Sequence, residues 1–489
     1  MSSNQPYDAV IVGSGPNGLS AAVRLAMEGL KVKVFEAEAT IGGGTRTLTF
    51  PGSGIRYDVC SAIHPMAAAS PFFRSLPLEQ YGLKWIHPEA PLAHPLDHEP
   101  AVLLHREIER MNEELGTDSE AWNRLFTPLS AQWEDLVVDL LSPLGIPSRP
   151  IGMARFGLRA LRSASRLSRK LFEKERSRAL FAGLAAHSML PLEQRVSAAV
   201  GIVLGAAAHK AGWPMPEGGS QAIADALAGY LTDLGGEIET SCKINSLENL
   251  PASRTVLFNL SPKQILSIAG ERLPPSYQKR LSKYRYGPGV FKVDAILSEP
   301  VPWQDPRCKK AGTVHLGGTL EEIAESERQM SRNRHSDHPY VLVAQQSLFD
   351  PARTSGGRHV LWAYCHVPSG SSKDMTRQIE DQIERFAPGY RDVVEERIVR
   401  TADDFESYNP NYAGGDINGG IQDLRQLFSR PASPFNPYAI PAKGLYICSS
   451  STPPGGGVHG MCGYHCARLV LKREFGIKTS RTPSVREAP

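Results

Sequence analysis

The chain lacks long hydrophobic runs: no apolar stretch in its 489 residues approaches the roughly 20 needed to cross a bilayer as a helix. It also lacks a cysteine framework. Its seven cysteines, Cys60, Cys242, Cys308, Cys365, Cys448, Cys462 and Cys466, are scattered, with no CxxC pair. That argues against a disulfide-stapled scaffold or a zinc ribbon and favours free thiols in a reducing, cytoplasmic setting. Cys462 and Cys466 stand four apart, which reads as two small core residues on one helix face. Neither charge dominates, and a net charge of +3 is too small to argue for nucleic acid. The polar residues MSSNQP before Tyr7 do not resemble a signal peptide. Three His-Pro pairs, beginning at His64, His87 and His94, set no ligand spacing for a tetrahedral ion, so no metal is expected. No second strand–GxGxxG–helix unit occurs, which argues against a separate NAD(P)H domain.

What is present begins at Tyr7. A buried-strand pattern, Tyr7 to Val12, runs into the turn Gly13-Ser14-Gly15-Pro16-Asn17-Gly18, then a helical run ended by Gly29, then a strand closing on Glu36. Each part suits a dinucleotide. Gly13 permits the tight turn, Gly15 lets the backbone approach a pyrophosphate, and Gly18 lets the helix pack closely on the strand. The helix N-terminus offers free N–H groups to phosphate, and Glu36 is placed to accept hydrogen bonds from a ribose diol. A lone GxGxxG is a weak signal; here a strand, a helix and an acid in register surround it.

A second glycine cluster follows, Gly42-Gly43-Gly44-Thr45-Arg46-Thr47. Next comes Gly54 to Pro65, a strand and turn carrying Asp58 and His64, each readable as a site residue or as an ordinary turn residue. From Arg106 to Gly212 the patterns are helical. Within them, Arg149 to Ala186 is basic and amphipathic, with arginines and lysines between leucines at helical spacing. Such a piece can lie on an anionic membrane surface or form a solvated wall of a substrate domain. The chain turns back at Pro216-Glu217-Gly218-Gly219 into a helix, Gln221 to Leu234, and two strands. Residues 284–412 read as strands and loops, with strands at Gly289–Leu297, Tyr340–Ala344 and His359–Tyr364. The loop 408–420 holds Asn409, Asn411 and Asp416 among four glycines, a composition able to approach a ligand. Finally a strand from Gly444 leads to Thr452-Pro453-Pro454-Gly455-Gly456-Gly457-Val458-His459 and a helix start. That helix N-terminus suits an edge that becomes anionic on reduction.

These motifs carry a resemblance. The second glycine cluster is similar to the E-x5-G-G-R-x-x-S/T extension of the flavoproteins that include amine oxidases and carotenoid desaturases, matching at Glu36, Gly42, Gly43 and Thr47. Gly44 stands where many members carry arginine, and Arg46 is a substitute cation in that reading. The return segment resembles that of the desaturase-like flavoproteins and implies an adenine contact at the backbone of Ile244. Thr452 to Gly457 looks like the T-x-P-G-G-G signature of phytoene desaturases, with Ser449 and Pro453 departing from it. The chain thus resembles the phytoene desaturase-related FAD-dependent oxidoreductases, a group that includes the pyridine nucleotide-disulfide oxidoreductase domain-containing protein 2 type.

The resemblance implies an α/β fold: a discontinuous Rossmann-like FAD-binding domain of glutathione reductase/amine oxidase type (residues 1–105, 213–270 and 426–489) and a second α+β substrate domain (106–212 and 271–425). It implies bound FAD, with Gly13, Gly15, Gly18, Glu36, Gly42, Gly43, Thr47, Ile244, Gly456, Gly457 and Val458 as its contacts. His459, Asp416 and His64 are the candidates for proton transfer or substrate positioning, His459 first. The expected reaction is flavin-mediated dehydrogenation, desaturation or isomerisation of a hydrophobic or amphipathic small molecule, with oxygen or a quinone as electron acceptor. The chain is expected to be cytoplasmic, with peripheral membrane contact through 149–186 left open. Two alternatives stand beside this: a non-catalytic lipid or prenyl-protein escort of the same architecture, and a flavin amine oxidase.

Overall fold

The computed structural model describes residues 6–433, 435–480 and 483. The chain opens with β1 (Tyr7–Val12), α1 (Pro16–Ala26) and β2 (Val32–Phe35). It then lays down β3 (Ala90–His94) and β4 (Val102–Leu104). A helical region follows: α2 (Ser119–Ala131), α3 (Trp133–Leu140), α4 (Pro150–Ala160), α5 (Ala164–Leu171), α6 (Glu175–Ala186) and α7 (Ser197–Lys210). The chain returns through α8 (Gln221–Asp233), β5 (Glu237–Glu239) and β6 (Ser253–Phe258). It next builds β7 (Gly289–Leu297), β8 (Ala311–Leu316), β9 (Val341–Ala344), β10 (His359–Val367) and β11 (Val394–Arg400). It comes back once more through β12 (Leu445–Ile447) and α9 (Met461–Glu474).

Two sheets result. The first is parallel throughout, in the order β12-β6-β1-β2-β5, so three distant parts of the chain share one layer. Strand β1 lies at its centre and is apolar on both faces, as a parallel strand covered on two sides must be. Pro16 starts α1 where no N–H is needed. The second sheet runs β11-β7-β10-β9-β8-β3-β4 and is antiparallel apart from the parallel pair β3–β8. Its residues alternate between faces. Phe291, Val293, Leu361, Ala363, Val341 and Val343 enter one core, while Trp362, Tyr364 and Leu342 face the other way, toward the helical region.

The sequence segments shift in places. Residues 90–94 and 102–104, placed with the dinucleotide segment ending at 105, sit in the second sheet, because β3 pairs with β8 more than 200 residues later. The basic stretch 149–186 is three helices rather than one. The final helix starts at Met461, after Val458 and His459 rather than at them.

Helices α1 and α9 lie against each other. A Cβ on Gly463 would sit 1.8 Å from the Asn17 carbonyl oxygen, and one on Gly18 would sit 2.0 Å from that of Gly13. Both obstacles are backbone and cannot swing aside. Gly463→Val is expected to destabilise the fold by about 1–3 kcal/mol through overpacking, read as a lower urea midpoint. Gly270→Ala, where nothing lies within 4 Å of an added Cβ, should leave the midpoint unchanged.

Candidate functional site

A cavity of about 860 Å³ runs between the two sheets. Its first half is built by the ends of β1 and β2 and by the return segments. Gly13, Gly15, Glu36, Gly43, Ile244, Gly456, Gly457 and Val458 all line it. Gly13, at φ +98°, takes a backbone conformation that glycine adopts at little cost. An added Cβ on Gly43 would approach Gly15 Cα to 3.2 Å, so the two glycine turns face each other at backbone distance. The N-terminus of α1 opens on this half, bringing its N–H groups and dipole to the cavity, and the Gly456-to-His459 turn that leads into α9 lines it as well.

Glu36 is buried beside the turn. Its Oε2 accepts from Ser14 N (3.0 Å) and Ser14 Oγ (2.6 Å), and its Oε1 from Glu38 N and Arg46 Nη2 (both 3.0 Å). Arg46 lines the cavity but is ion-paired to Glu36, with its guanidinium 5.6 Å from the Tyr408 ring centre. No arginine could occupy position 44 in this packing, because the Tyr412 hydroxyl lies 2.2 Å from where a Cβ would be.

Three expected cofactor residues do not line the cavity. Gly18 lies beneath the turn, against the Gly13 carbonyl. Gly42 (φ +110°) packs on Ala224 and Gln221. Thr47 Oγ1 donates to Asp58 Oδ1 (2.7 Å) and accepts from Gln221 N (3.1 Å), joining the second glycine cluster to the return helix α8. Asp58 is a structural hub. It also accepts from Ser220 N (2.8 Å) and from Arg353 Nη1 (2.6 Å), with both carboxylate and guanidinium fully buried. Burial alone would raise its pKa; Arg353, Ser220 N and Thr47 bring it below the ordinary value.

The three candidates for proton chemistry part company. Asp416 is turned away from the cavity: its carboxylate accepts from the backbone N–H groups of Gly287 (2.7 Å), Gly420 (2.7 Å) and Asn418 (2.8 Å). It staples the 408–420 loop, which corrects its expected place at the site. Asn409 and Asn411 of that loop do line the cavity. Asn411 binds Ser261 N, Gln264 and the Asn259 carbonyl, which holds the loop over the first glycine turn.

His64 lines the cavity, with Nε2 2.8 Å from Ser220 Oγ. Ser220 gives its only hydroxyl hydrogen to Ser61 O (2.7 Å). His64 Nε2 is therefore the donor in that pair, and Nδ1 keeps an open lone pair. His459 has the opposite arrangement. Its Nδ1 accepts from Met461 N (3.0 Å), so Nε2 carries the hydrogen, and this buried nitrogen makes no hydrogen bond of ordinary geometry among the described residues, although the Gly455 and Gly456 backbone acts on the ring. His459 is a donor and His64 an acceptor.

The second half of the cavity is apolar. Met153, Phe156 and Ala160 of α4, Val200 and Val203 of α7, and Leu342, Trp362 and Tyr364 of β9 and β10 form its wall. His187 lies at this end, 3.1 Å from His315. None of these was singled out in the sequence, although the period-two aromatic pair Trp362/Tyr364 in a strand was a usable signal. Behind Trp362 lies a buried cation, Lys292, 5.7 Å from its ring centre and paired with Asp294. Among the described residues no cluster of three or more ligating side chains could hold a metal, no helix is long and apolar enough to cross a membrane, and all seven cysteines are free.

The comparisons with known proteins agree with this geometry. Residues 11–76 match the family described as NAD(P)-binding Rossmann-like domain. Pyridine nucleotide-disulfide oxidoreductase domain-containing protein 2 of Rattus norvegicus is 25% identical, the match covering 95% of this chain and 93% of that one. An oxidoreductase from Methanosarcina mazei superposes with a TM-score of 0.64 at 16% identity, over 95% of this chain and all of that one. Putrescine oxidase bound to putrescine gives 0.61 at 16%, over 96% and 99%. The fold is that of putrescine oxidase and of the Methanosarcina mazei oxidoreductase, and the likeness to the rat protein runs through nearly the whole chain.

Burial lowers the pKa of both His64 and His459 to about 4, against an ordinary 6.5. Between these values the unfolded chain binds protons that the folded chain refuses, so stability is lost as pH falls through this window. Each histidine should remove roughly 2 kcal/mol of stability by pH 5. The urea midpoint should be lower at pH 5 than at pH 7, and His64→Gln and His459→Gln should each narrow the gap. An unchanged gap in both variants would contradict the neutral assignment.

Proposed function

We propose that this protein holds FAD across the two glycine turns and dehydrogenates a neutral apolar or amphipathic small molecule in the adjoining half of the cavity. That it is an oxidoreductase of flavin type rests on the whole-length relative and on the fold; the cofactor's identity and the substrate class are the proposal. The observation that carries it is the continuity of one cavity from a cradle of glycine backbone and the N-terminus of α1 into an apolar chamber. An escort protein would leave that cradle without a task.

The residues present fit FAD. Facing turns at Gly15 and Gly43 suit a pyrophosphate, Glu36 a ribose, the Ile244 backbone an adenine, and Gly456 to Val458 the edge of a tricyclic ring. Bound there, FAD would supply a two-electron acceptor, with oxygen or a quinone reoxidising it. The Nε2–H of His459, held by Met461 N at the other ring nitrogen, is a donor for an electron-rich ring edge. His64 Nδ1, an acceptor on a neutral ring, would take or relay a substrate proton. Met153, Phe156 and Trp362 exclude water and orient an apolar skeleton. Glu36 and Glu38, both at the dinucleotide end, are the only carboxylates lining the cavity among the described residues. The apolar half therefore offers no counter-ion to an ammonium, which favours a neutral substrate over an amine.

The purified protein should be yellow and bleach under dithionite. Gly15→Leu, at an ordinary φ of −65° and with a Cβ that meets only the Asn259 side-chain amide at 2.9 Å, should fold and lose the flavin. A colourless wild type that takes up no FAD on titration would refute the proposal. On a substrate identified by mass spectrometry of the co-purified ligand, His64→Gln should reduce kcat by about 100-fold or more with flavin content unchanged.

A further inference from the structure

Helix α4 is apolar on two opposite sides. Its inner stripe, Met153, Phe156 and Ala160, lines the cavity. On its outer side Ile151 is 73% and Leu158 71% exposed, and Leu161, just past its end, is 48% exposed. The preceding turn adds Leu144 at 60% and Ile146 at 84%. Five of the nine large exposed hydrophobics among the described residues thus fall within 144–161, far more than scattered surface residues would place there. The outer stripe is flanked by Arg155, Arg159 and Arg162, none with an acidic partner within ion-pair distance among the described residues; only Arg149 is paired, to Asp135.

We infer that residues 144–162 dock this protein on an anionic lipid bilayer, with Ile151 and Leu158 entering the acyl boundary and the arginines meeting lipid phosphates. An apolar stripe bordered by unpaired cations on a helix lying flat is the pattern of interfacial helices. A second copy is a poorer occupant: a two-fold contact through this face would set Arg155 and Arg159 against the same arginines of the other chain. Behind α4, a groove of about 600 Å³ has an apolar floor (Leu136, Leu167, Ile202) and a rim of mixed charge, Arg159 and Lys170 beside Asp135 and Asp139. Met153 and Phe156 line both this groove and the main cavity, so α4 is the partition between them. Leu161 is both exposed and part of the cavity wall, so the cavity reaches the surface at the docking patch. Delivery of an apolar substrate from the bilayer rests on the function proposed above; docking itself does not.

The test is co-sedimentation of the full-length protein with vesicles of phosphatidylcholine alone or mixed with phosphatidylglycerol. Wild type should sediment with the mixed vesicles, less so as salt rises, and remain largely in solution with the neutral ones. The pairs Ile151→Ser/Leu158→Ser and Arg155→Gln/Arg159→Gln should each lower the partition at least about tenfold, with flavin content and Tm unchanged. The inference falls if wild type ignores both vesicles, binds both equally, or binds equally with and without the substitutions. It falls also if the wild type is a dimer that Ile151→Ser/Leu158→Ser dissolves. A protein that takes up no FAD on titration yet still sediments would overturn the proposed function and leave the docking surface standing.

Discussion

The approach of α1 to α9 is the constraint on which the rest depends. Two helices that meet at the Asn17 carbonyl and Gly463 belong to opposite ends of the sequence, and their contact needs residues without a Cβ. Because they pack side by side, the first glycine turn and the Gly456-Gly457 turn open on one space. Strand β12 reinforces the arrangement by pairing with β6, which pairs with β1. If the helices were held farther apart, the two turns would part and the sheet would lose its outer strand.

A buried ion network does for the two sheets what the helix contact does for the first. Asp58, Arg353 and Asp350 are almost wholly enclosed. Asp350 also accepts from Gly218 N (2.7 Å), and Arg353 donates to Pro216 O. The first segment, the return segment and the loop between β9 and β10 therefore meet at one set of charges. Each charge is expensive to bury alone, so the set stands or fails together. This rigid joint places β10 opposite the glycine turns and thereby fixes where Trp362 and Tyr364 stand.

The parts of the fold legible in the sequence were those with local grammar. Strand, glycine turn and helix at 7–26 follow from spacing alone, and the alternation in β7 and β10 follows from the side-chain period of a strand. Strands β3 and β4 were assigned to the wrong layer, because a parallel partner more than 200 residues away leaves no trace nearby. Within the site, Asp416 looked functional for being an acid among glycines. The same feature, a carboxylate able to collect three backbone N–H groups, makes it a loop staple. His64 and His459 were visible as histidines, but which of them gives and which accepts a hydrogen depends on Ser61, Ser220 and Met461, partners that only folding supplies. Helix α4 was legible as basic and amphipathic; its second apolar side emerged once burial showed which residues the cavity had already taken.

The discontinuous first sheet also bears on how the protein is made. During synthesis from the N-terminus, β1 and β2 emerge early, yet β6, which pairs with β1, follows only after some 240 further residues, and β12, which pairs with β6, after some 190 more. Until then a central strand of that layer has an open edge, and the apolar flank of α1 that will receive α9 is bare. The nascent chain thus carries its most adhesive surfaces through most of translation, and a ribosome stalled before Gly444 would leave a product with an exposed sheet edge and half a nucleotide cradle, a substrate for chaperones and proteases rather than a smaller working enzyme.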